Sequence, residues 1–208
     1  MPKDSVNQGS SPDSDIARKK RGLPLRGALA RRDTWIGQNW KAILAVILVF
    51  ALALFVRSYF GFDSATNDGD DFLLSGGSDA YYYKRIIDFT AETGKDITFD
   101  PMLNYPLGTR NPRPPLYGWS NVFAGQAIAP ILGMDDHTSI WYVFQMSTAF
   151  WGALTIVPLY FIGREIFDKR TAIVAAITLA LMAAHIDRSV LSNGDHDAYV
   201  LFFVTCAF

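Results

Sequence analysis

The chain has 208 residues; half of them are hydrophobic, only 19 % are charged, and there are five tryptophans and nine tyrosines. This composition is unusual for a soluble domain and typical of a membrane protein, in which long apolar runs cross the bilayer. The formal net charge is −1, but basic residues are concentrated near the start. Because they form a tail that flanks an apolar run, the pattern disfavours nucleic-acid binding.

The N-terminal region, residues 1–34, is rich in polar and charged residues and poor in apolar ones. Such a segment cannot bury a core, so we predict a disordered tail here and a membrane-embedded part over residues 35–208. An apolar run extends from Ala42 to Val56, with aromatic residues on both sides. This pattern is typical of a transmembrane helix, which we place at about 38–59.

Basic residues before this span set its orientation. By the positive-inside rule the tail is cytoplasmic, and the following loop, at about residues 60–139, is external. Within this loop we predict an amphipathic helix from Ala80 to Thr93, ended by Gly94. The basic residues are Lys3, Arg18, Lys19, Lys20, Arg21, Arg26, Arg31, Arg32 and Lys41.

The run from Leu116 to Met134 resembles a span, yet polar residues, glycines and a proline interrupt it. If it crossed the membrane, the basic loop from Arg164 to Arg170 would be external and the acidic turn from Gly133 to His137 cytoplasmic. Both placements would violate the positive-inside rule. We therefore predict a helix lying in the external interface here, and further spans at about 140–162 and 171–186.

A last apolar run begins at Ala198 and continues to Phe208. A transmembrane helix needs about 20 apolar residues. We therefore interpret residues 198–208 as half of a fourth span, and the chain as the N-terminal part of a longer protein. The loop at about 187–197 is then external, on the same side as the first loop.

Two acidic motifs lie in these external loops. Residues 191–199 read Leu-Ser-Asn-Gly-Asp-His-Asp-Ala-Tyr, so that Asp195 and Asp197 are two residues apart. In an extended turn, carboxylates with this spacing can direct their oxygens at one hard divalent cation, such as Mg²⁺ or Mn²⁺. Asp79, which follows Gly-Gly-Ser, is the best candidate for a further acid. Because the charge argument puts both loops outside, we predict that they can share one metal site.

Other roles remain open for these residues. Asp195 or Asp197 could cap the helix predicted to follow them, since aspartate is a favoured N-cap. We leave His196 out of the ligand set, because a histidine at such a position is more often a surface residue than a ligand. Asp187 and Arg188 could form an ion pair at the membrane interface.

Two further acidic clusters compete as metal sites. Residues 68–71 read Asp-Gly-Asp-Asp but lack the remaining spacing of a calcium loop, which favours a solvated loop. Residues 135–137, Asp-Asp-His, are interpreted as a turn before a helix at Ser139.

Several short motifs occur in a characteristic order after Gln38. They are Gly77-Ser78-Asp79 with Tyr81, Tyr82 and Arg85; Tyr105-Pro106-Leu107-Gly108 with Pro114-Pro115-Leu116; Val157-Pro158 before a basic turn; and Arg188 followed seven residues later by Asp195-x-Asp197. In this order they resemble the catalytic subunit of archaeal oligosaccharyltransferases. The resemblance implies an all-α polytopic membrane protein with the N-terminal part of a GT-C-type glycosyltransferase transmembrane domain, in the cell membrane.

The resemblance also implies a site and a reaction. Asp79, Asp195 and Asp197 would hold Mn²⁺ or Mg²⁺, although some archaeal relatives have histidine at the third position. Asp79 would also contact the acceptor asparagine, and Arg188 matches an arginine that is important for activity. The implied reaction is the inverting transfer of a glycan from a dolichyl phosphate or diphosphate carrier to asparagine in Asn-x-Ser/Thr acceptors. The family's later catalytic acid and acceptor-reading element would follow Phe208, so we expect residues 1–208 alone to be inactive.

Two other classes of protein remain open. Another lipid-phosphate-dependent membrane glycosyltransferase, such as a protein O-mannosyltransferase, also has acids in its first external loop. A transporter or channel is a non-enzymatic alternative, but such proteins carry ionisable residues near the middle of the membrane. Here the predicted spans have charge-free centres, and the acids lie in the external loops.

Single-cysteine labelling tests the predicted topology. In a Cys206→Ser background, a membrane-impermeant thiol reagent is expected to label Ser78→Cys from outside intact cells and to leave Lys169→Cys protected. Labelling of Lys169→Cys from outside would mean that the run from Leu116 to Met134 crosses the membrane.

Overall fold

The computed structural model of the protein describes residues 25–66 and 73–208. The predicted disorder of residues 1–24 and the acidic cluster at 68–71 lie outside these residues. The chain divides into two compact units, with the boundary after Lys41. In the first unit the described residues are helical, and the second unit contains both candidate acidic loops.

Helices form most of the described structure, as predicted. In chain order they are α1 (Leu25–Thr66), α2 (Gly77–Thr93), α3 (Pro115–Leu132), α4 (Asp136–Leu154), α5 (Ile156–Ile166), α6 (Lys169–Leu181), α7 (Ala183–Asp187) and α8 (Asp197–Cys206). An antiparallel hairpin, β1 (Phe99–Asp100) and β2 (Thr109–Arg110), lies between α2 and α3, with Phe99 opposite Arg110.

Helix α1 begins at Leu25, before the predicted tail boundary at residue 34. Residues 25–32 read Leu-Arg-Gly-Ala-Leu-Ala-Arg-Arg, and leucine, alanine and arginine have high helix propensity. Residues 25–34, which belong to the predicted tail, are helical in the structure.

Two helical segments among the described residues are long and apolar enough to cross a membrane, by length and composition. They are Asn39–Asp63, within α1, and Asp136–Ile166, which includes α4 and α5. These segments overlap the predicted spans at 38–59 and 140–162. Helix α6 has only 13 residues. It can reach the length of the third predicted span only together with the segment that follows it.

Gly94 ends α2 as predicted, whereas α4 begins at Asp136, before the helix start predicted at Ser139. Gly94 has the left-handed conformation (φ 65°), and its N–H donates to the carbonyl oxygen of Thr90, which ends α2. Asp135 accepts a hydrogen bond from the N–H of Thr138 at 2.8 Å and thereby caps α4. The acidic turn at residues 135–137 is therefore the start of a helix.

Aromatic packing joins α2, α3, α4 and α8. Tyr83 meets Tyr117 edge to face with 5.0 Å between ring centroids, and Tyr117 lies 5.2 Å from Tyr199. Tyr83, Tyr117 and Phe144 are almost completely buried. Since buried aromatic rings remove large apolar areas from water, this core holds the start of α8, with its acids, close to α2.

The third predicted span is interrupted. Helix α6 ends at Leu181, Met182 has an extended conformation (φ −68°, ψ 116°), and the five-residue helix α7 follows. The segment predicted as a span at 171–186 is therefore built from two helices, α6 and α7. Neither proline nor glycine marks the break in the sequence. It is stabilised instead by a tertiary contact, because the guanidinium of Arg57 donates to the carbonyl oxygen of Ala180 at 3.1 Å.

Arg57, near the end of the first predicted span, is completely buried. Its guanidinium also donates to the carbonyl oxygen of Ala53 at 3.0 Å and to the hydroxyl of Ser189 at 2.8 Å, and it contacts Nδ1 of His185 at 2.9 Å. A buried polar group without a partner costs free energy, above all where water is excluded by a membrane. One arginine thus satisfies a carbonyl at the helix break and anchors the segment that leads to the second acidic motif.

Arg57→Gln should destabilise the protein, because the shorter amide cannot reach all four partners. Unsatisfied buried groups cost about 1–3 kcal/mol each, so we expect a loss of about 3 kcal/mol in the free energy of unfolding. Thermal unfolding of the purified protein in detergent measures this loss. Arg170→Gln, at an exposed position, is the matched control, and equal unfolding temperatures for the two variants would contradict the prediction.

Candidate metal centre

Three potential metal ligands stand at the start of α8. Asp195, His196 and Asp197 each offer one ligand atom, and these atoms lie within 4.8 Å of one another. Asp195 is buried, His196 is partly buried and Asp197 is exposed. Carboxylate oxygens suit Mg²⁺ and Mn²⁺, and imidazole is a common ligand of transition metals. The donor set therefore fits a divalent cation, and it includes His196, which we did not predict as a ligand.

The loop before α8 is held by hydrogen bonds to two helices. From α4, the hydroxyl of Thr148 donates to the carbonyl oxygen of Val190 at 2.7 Å, and the carbonyl oxygen of Gln145 accepts the N–H of Ser192 at 3.0 Å. From α1, the carbonyl oxygen of Arg57 accepts another N–H of the loop at 3.2 Å. Such bonds fix the direction in which the acids of the loop point.

The segment before α2 contacts this loop directly. The N–H of Ser75 donates to the carbonyl oxygen of Ser192 at 2.9 Å. Gly76 lies so close to the loop that a Cβ at this position would overlap the carbonyl oxygen of Asn193. Gly194 has a positive φ of 73° and packs against α2. The two acidic loops, far apart in the sequence, therefore meet in the structure.

Asp79 lies in the first turn of α2, outside the cluster of three ligands. Its Oδ1 is paired with the guanidinium of Arg113, and its side chain is 47 % exposed. The N-terminal end of a helix favours a negative charge. The structure thus brings Asp195 and Asp197 together and places Asp79 on the helix that contacts their loop, paired with an arginine that we did not predict.

Tyr83 lies near all three predicted acids. Its hydroxyl is buried and has no hydrogen-bond partner among the described residues, and its ring lies 5.2 Å from that of His196. Burial raises the pKa of Tyr83; Arg113 opposes this shift, and Asp195, Asp79 and Asp197 add to it. The three predicted acids are therefore close enough to act on one side chain.

Arg188 stands beside the cluster. It pairs with Asp197, with 3.7 Å between Nη1 and Oδ2. The sequence alone also allowed Asp187 as its partner, in an ion pair at the membrane interface. Its side chain is 69 % exposed and lines an open cavity of about 890 Å³ together with Gly77 and Asn193. A guanidinium in this position can bind an anionic group that occupies the cavity.

The structure does not support the helix-capping alternative for the acids. The N-cap of α8 is His196, and no side chain caps this helix end. Oδ1 of Asp195 instead accepts from the N–H of His196 and contacts Nδ1 of the same residue, both at 2.7 Å. Asp197 is the first residue of the helix, where the helix dipole favours its charge.

Solved structures define the class of fold. The archaeal oligosaccharyltransferase AglB from Archaeoglobus fulgidus, in complex with an inhibitory peptide and a dolichol-phosphate, matches with a TM-score of 0.69 and 26 % identity, over 83 % of this chain and 19 % of that chain. A complex of the Archaeoglobus fulgidus oligosaccharyltransferase with Zn and sulfate gives 0.67 and 28 % identity, over 78 % and 20 %. This likeness confirms the predicted α-helical, GT-C-type fold.

Sequence comparisons identify the family. Residues 70–208 match the family described as oligosaccharyl transferase STT3, N-terminal, and the chain belongs to this family. Dolichyl-phosphooligosaccharide-protein glycotransferase 3 of Archaeoglobus fulgidus is 33 % identical over 134 residues, which is 64 % of this chain and 15 % of the relative. Dolichyl-monophosphooligosaccharide–protein glycotransferase AglB of Haloferax volcanii is 26 % identical over 174 residues, 81 % and 16 % of the two chains. The chain thus spans between 15 % and 27 % of the curated relatives that it matches.

Gly76→Ala should loosen the contact between α2 and the loop, because the added methyl group overlaps the Asn193 carbonyl oxygen. Overpacking of this kind costs about 1–3 kcal/mol, which thermal unfolding can measure. Gly118→Ala in α3 is the control, since a Cβ there would meet only a methyl group of Ile86, at 3.3 Å. If the two variants were equally stable, the close contact at Gly76 would not exist in solution.

Proposed function

We propose that the protein is an oligosaccharyltransferase, which transfers a glycan from a dolichyl phosphate or diphosphate carrier to asparagine in Asn-x-Ser/Thr acceptors. The observation that carries this proposal is the contact of the Asp195–Asp197 loop with the start of α2, next to Asp79, in a chain of the STT3 family. A similar structure holds a peptide and a dolichol-phosphate, which supports both the lipid carrier and the peptide acceptor.

In the proposed site, Asp195 and Asp197 hold one Mn²⁺ or Mg²⁺ ion that Asp79 shares. Ligand atoms of Asp195, His196 and Asp197 within 4.8 Å of one another and the Zn in a similar structure support a divalent cation. When bound, the cation offsets the negative charge that develops on the leaving phosphate. His196 can add a nitrogen ligand or hold Asp195 in place through their contact at 2.7 Å.

Asp79 has a second role in the proposed mechanism. The carboxamide nitrogen of asparagine is a very poor nucleophile, so its orientation matters. A carboxylate that accepts hydrogen bonds from the amide N–H groups directs this nitrogen at the anomeric carbon. Attack opposite the leaving phosphate forms the new C–N bond, breaks the C–O bond and inverts the configuration. The nitrogen gives up one proton, and the phosphate leaves on its dolichyl carrier.

Arg188 binds the anionic end of the donor in this proposal. Its guanidinium is exposed at the cavity and lies 3.7 Å from the carboxylate of Asp197. Arginine forms paired hydrogen bonds with phosphate oxygens, so it can hold the donor phosphate beside the cation. Arg188 is therefore proposed as a catalytic residue together with Asp79.

We further propose that the protein is a multi-pass protein of the cell membrane with a cytoplasmic tail and external acidic loops. Two candidate spans and the distribution of basic residues support this arrangement. The O-mannosyltransferase and transporter alternatives are set aside because the chain belongs to the STT3 family.

Asp79→Asn keeps the shape of the side chain but removes the charge that helps to hold the cation. In the complete protein, we expect glycan transfer to an Asn-x-Thr peptide to fall roughly 100-fold, and Asp195→Asn and Asp197→Asn to have similar effects. Chelation with EDTA should abolish transfer, and added Mn²⁺ or Mg²⁺ should restore it.

Asp136→Asn is the matched control, because Asp136 is an exposed acid in the first turn of α4. It should leave the transfer rate within a factor of about two, as expected for an exposed surface position. Transfer that survives chelation, or an Asp79→Asn variant as active as Asp136→Asn, would show that the proposed site is wrong.

A further inference from the structure

An ion pair between Arg113 and Asp79 connects the loop before α3 with the first turn of α2. Nη2 of Arg113 donates to Oδ1 of Asp79. Arg113 is the more buried partner, with 25 % of its side chain exposed compared with 47 % for Asp79. Within residues 25–66 and 73–208, Oδ2 of Asp79 makes no hydrogen bond, so one oxygen is paired and the other is available to a ligand.

The loop that presents Arg113 is stiff. Pro112 and Pro114 flank Arg113, and a proline restricts both its own backbone and that of the preceding residue. The N–H of Arg113 donates to Oδ1 of Asn111, and Nδ2 of Asn111 donates to the carbonyl oxygen of Ile97, both at 2.9 Å. The backbone therefore fixes the point from which the guanidinium reaches Asp79.

A second ion pair anchors the hairpin to the same helix. Asp100 in β1 is completely buried, pairs with Arg85 of α2 and accepts the N–H of Met102 at 2.9 Å. Burial by itself raises the pKa of Asp100, but the hydrogen bonds from Arg85 and Met102 outweigh it, so that the pKa is lowered. Because this carboxylate stays ionised, the hairpin and the adjoining Arg113 loop are held against α2.

Arg113 adds a positive charge to a site rich in carboxylates. Its guanidinium carbon lies 5.8 Å from the centre of the Tyr83 ring, which also lies beside His196. In addition, Nε of Arg113 is buried without a hydrogen-bond partner among the described residues. The guanidinium of Arg113 thus bonds Asp79 through Nη2 but leaves Nε without a partner among the described residues, whereas that of Arg57 has four partners.

We propose that Arg113 is a positioning residue that competes with the divalent cation and the acceptor amide for Asp79. This inference rests on the proposed function, which assigns both of those ligands to Asp79. The guanidinium and the cation both depend on the single negative charge of Asp79, so each weakens the binding of the other. The acceptor amide needs lone pairs of the same two oxygens. The ion pair with Arg113 fixes the direction of the Asp79 carboxylate.

Binding of Mn²⁺ to the complete protein tests this competition without any substrate. The concentration of free Mn²⁺, measured by electron paramagnetic resonance, gives the dissociation constant. Arg113→Gln removes the charge that competes with the cation for Asp79, so we expect Mn²⁺ to bind roughly threefold to tenfold more tightly, the range for a partly exposed charge pair. Glycan transfer should nevertheless fall, by roughly tenfold, because Asp79 loses its fixed direction.

Further variants separate this role from a structural one. Arg113→Met, which keeps the length of the side chain against Tyr83, is the second neutral variant if Arg113→Gln does not fold. Arg113→Lys keeps the charge and should bind Mn²⁺ like the unmodified protein. Arg110→Gln changes an exposed arginine of the same hairpin and should alter neither Mn²⁺ binding nor transfer. In an Asp79→Asn background, Arg113→Gln should have no further effect on Mn²⁺ binding, because the pair is already broken.

The possible failures are distinguishable. If Asp79→Asn leaves Mn²⁺ binding unchanged, the proposed metal site itself is wrong. If Asp79→Asn weakens Mn²⁺ binding but neither neutral Arg113 variant strengthens it, the metal site stands and the competition is refuted. A tightening that persists in the Asp79→Asn background would also refute it, since the effect would then not act through Asp79.

Discussion

The buried guanidinium of Arg57 is the contact on which the arrangement of the acidic loops depends. Where water is scarce, a helix can break only if other groups satisfy the freed backbone atoms. Arg57 provides this at Ala180, and the same side chain holds Ser189 at 2.8 Å. The break after Leu181 turns the chain toward α4, whose hydrogen bonds then fix the loop that ends at Asp195. Arg57, a structural cation, therefore helps to determine where the second acidic motif lies.

The candidate site is assembled from two segments that are distant in the sequence. Backbone contact at Gly76 lets the start of α2 approach the loop more closely than any side chain would allow. The aromatic core around Tyr83 and Tyr117 holds α2 and α8 at that separation. The small residue Gly76 thus allows the close contact, and the large aromatic residues behind it maintain it.

Each acid of the site has a polar partner among the described residues. Asp79 faces Arg113, Asp197 faces Arg188, and Asp195 contacts His196. Clustered carboxylates repel one another, and each partner reduces this repulsion. A cation that enters must therefore replace or share existing partners. This requirement links cation binding to the positions of two arginines, one on the hairpin side of α2 and one at the cavity.

The sequence by itself determined the class of the protein and the identity of its acids. Apolar runs with aromatic ends indicated membrane spans, Gly94 indicated the end of a helix, and the spacing of Asp195 and Asp197 indicated a candidate ligand pair, because these signals are local. Membership of the STT3 family confirmed the resemblance.

Only the tertiary structure decided where α6 breaks, that His196 joins the acids, and that Asp79 is paired with Arg113. The break depends on Arg57, which is 123 residues from Ala180, and the ion pair joins residues 34 positions apart. Contacts between such distant residues leave no periodic pattern and no local propensity in the sequence. They follow from how the helices pack, and packing depends on the whole chain at once.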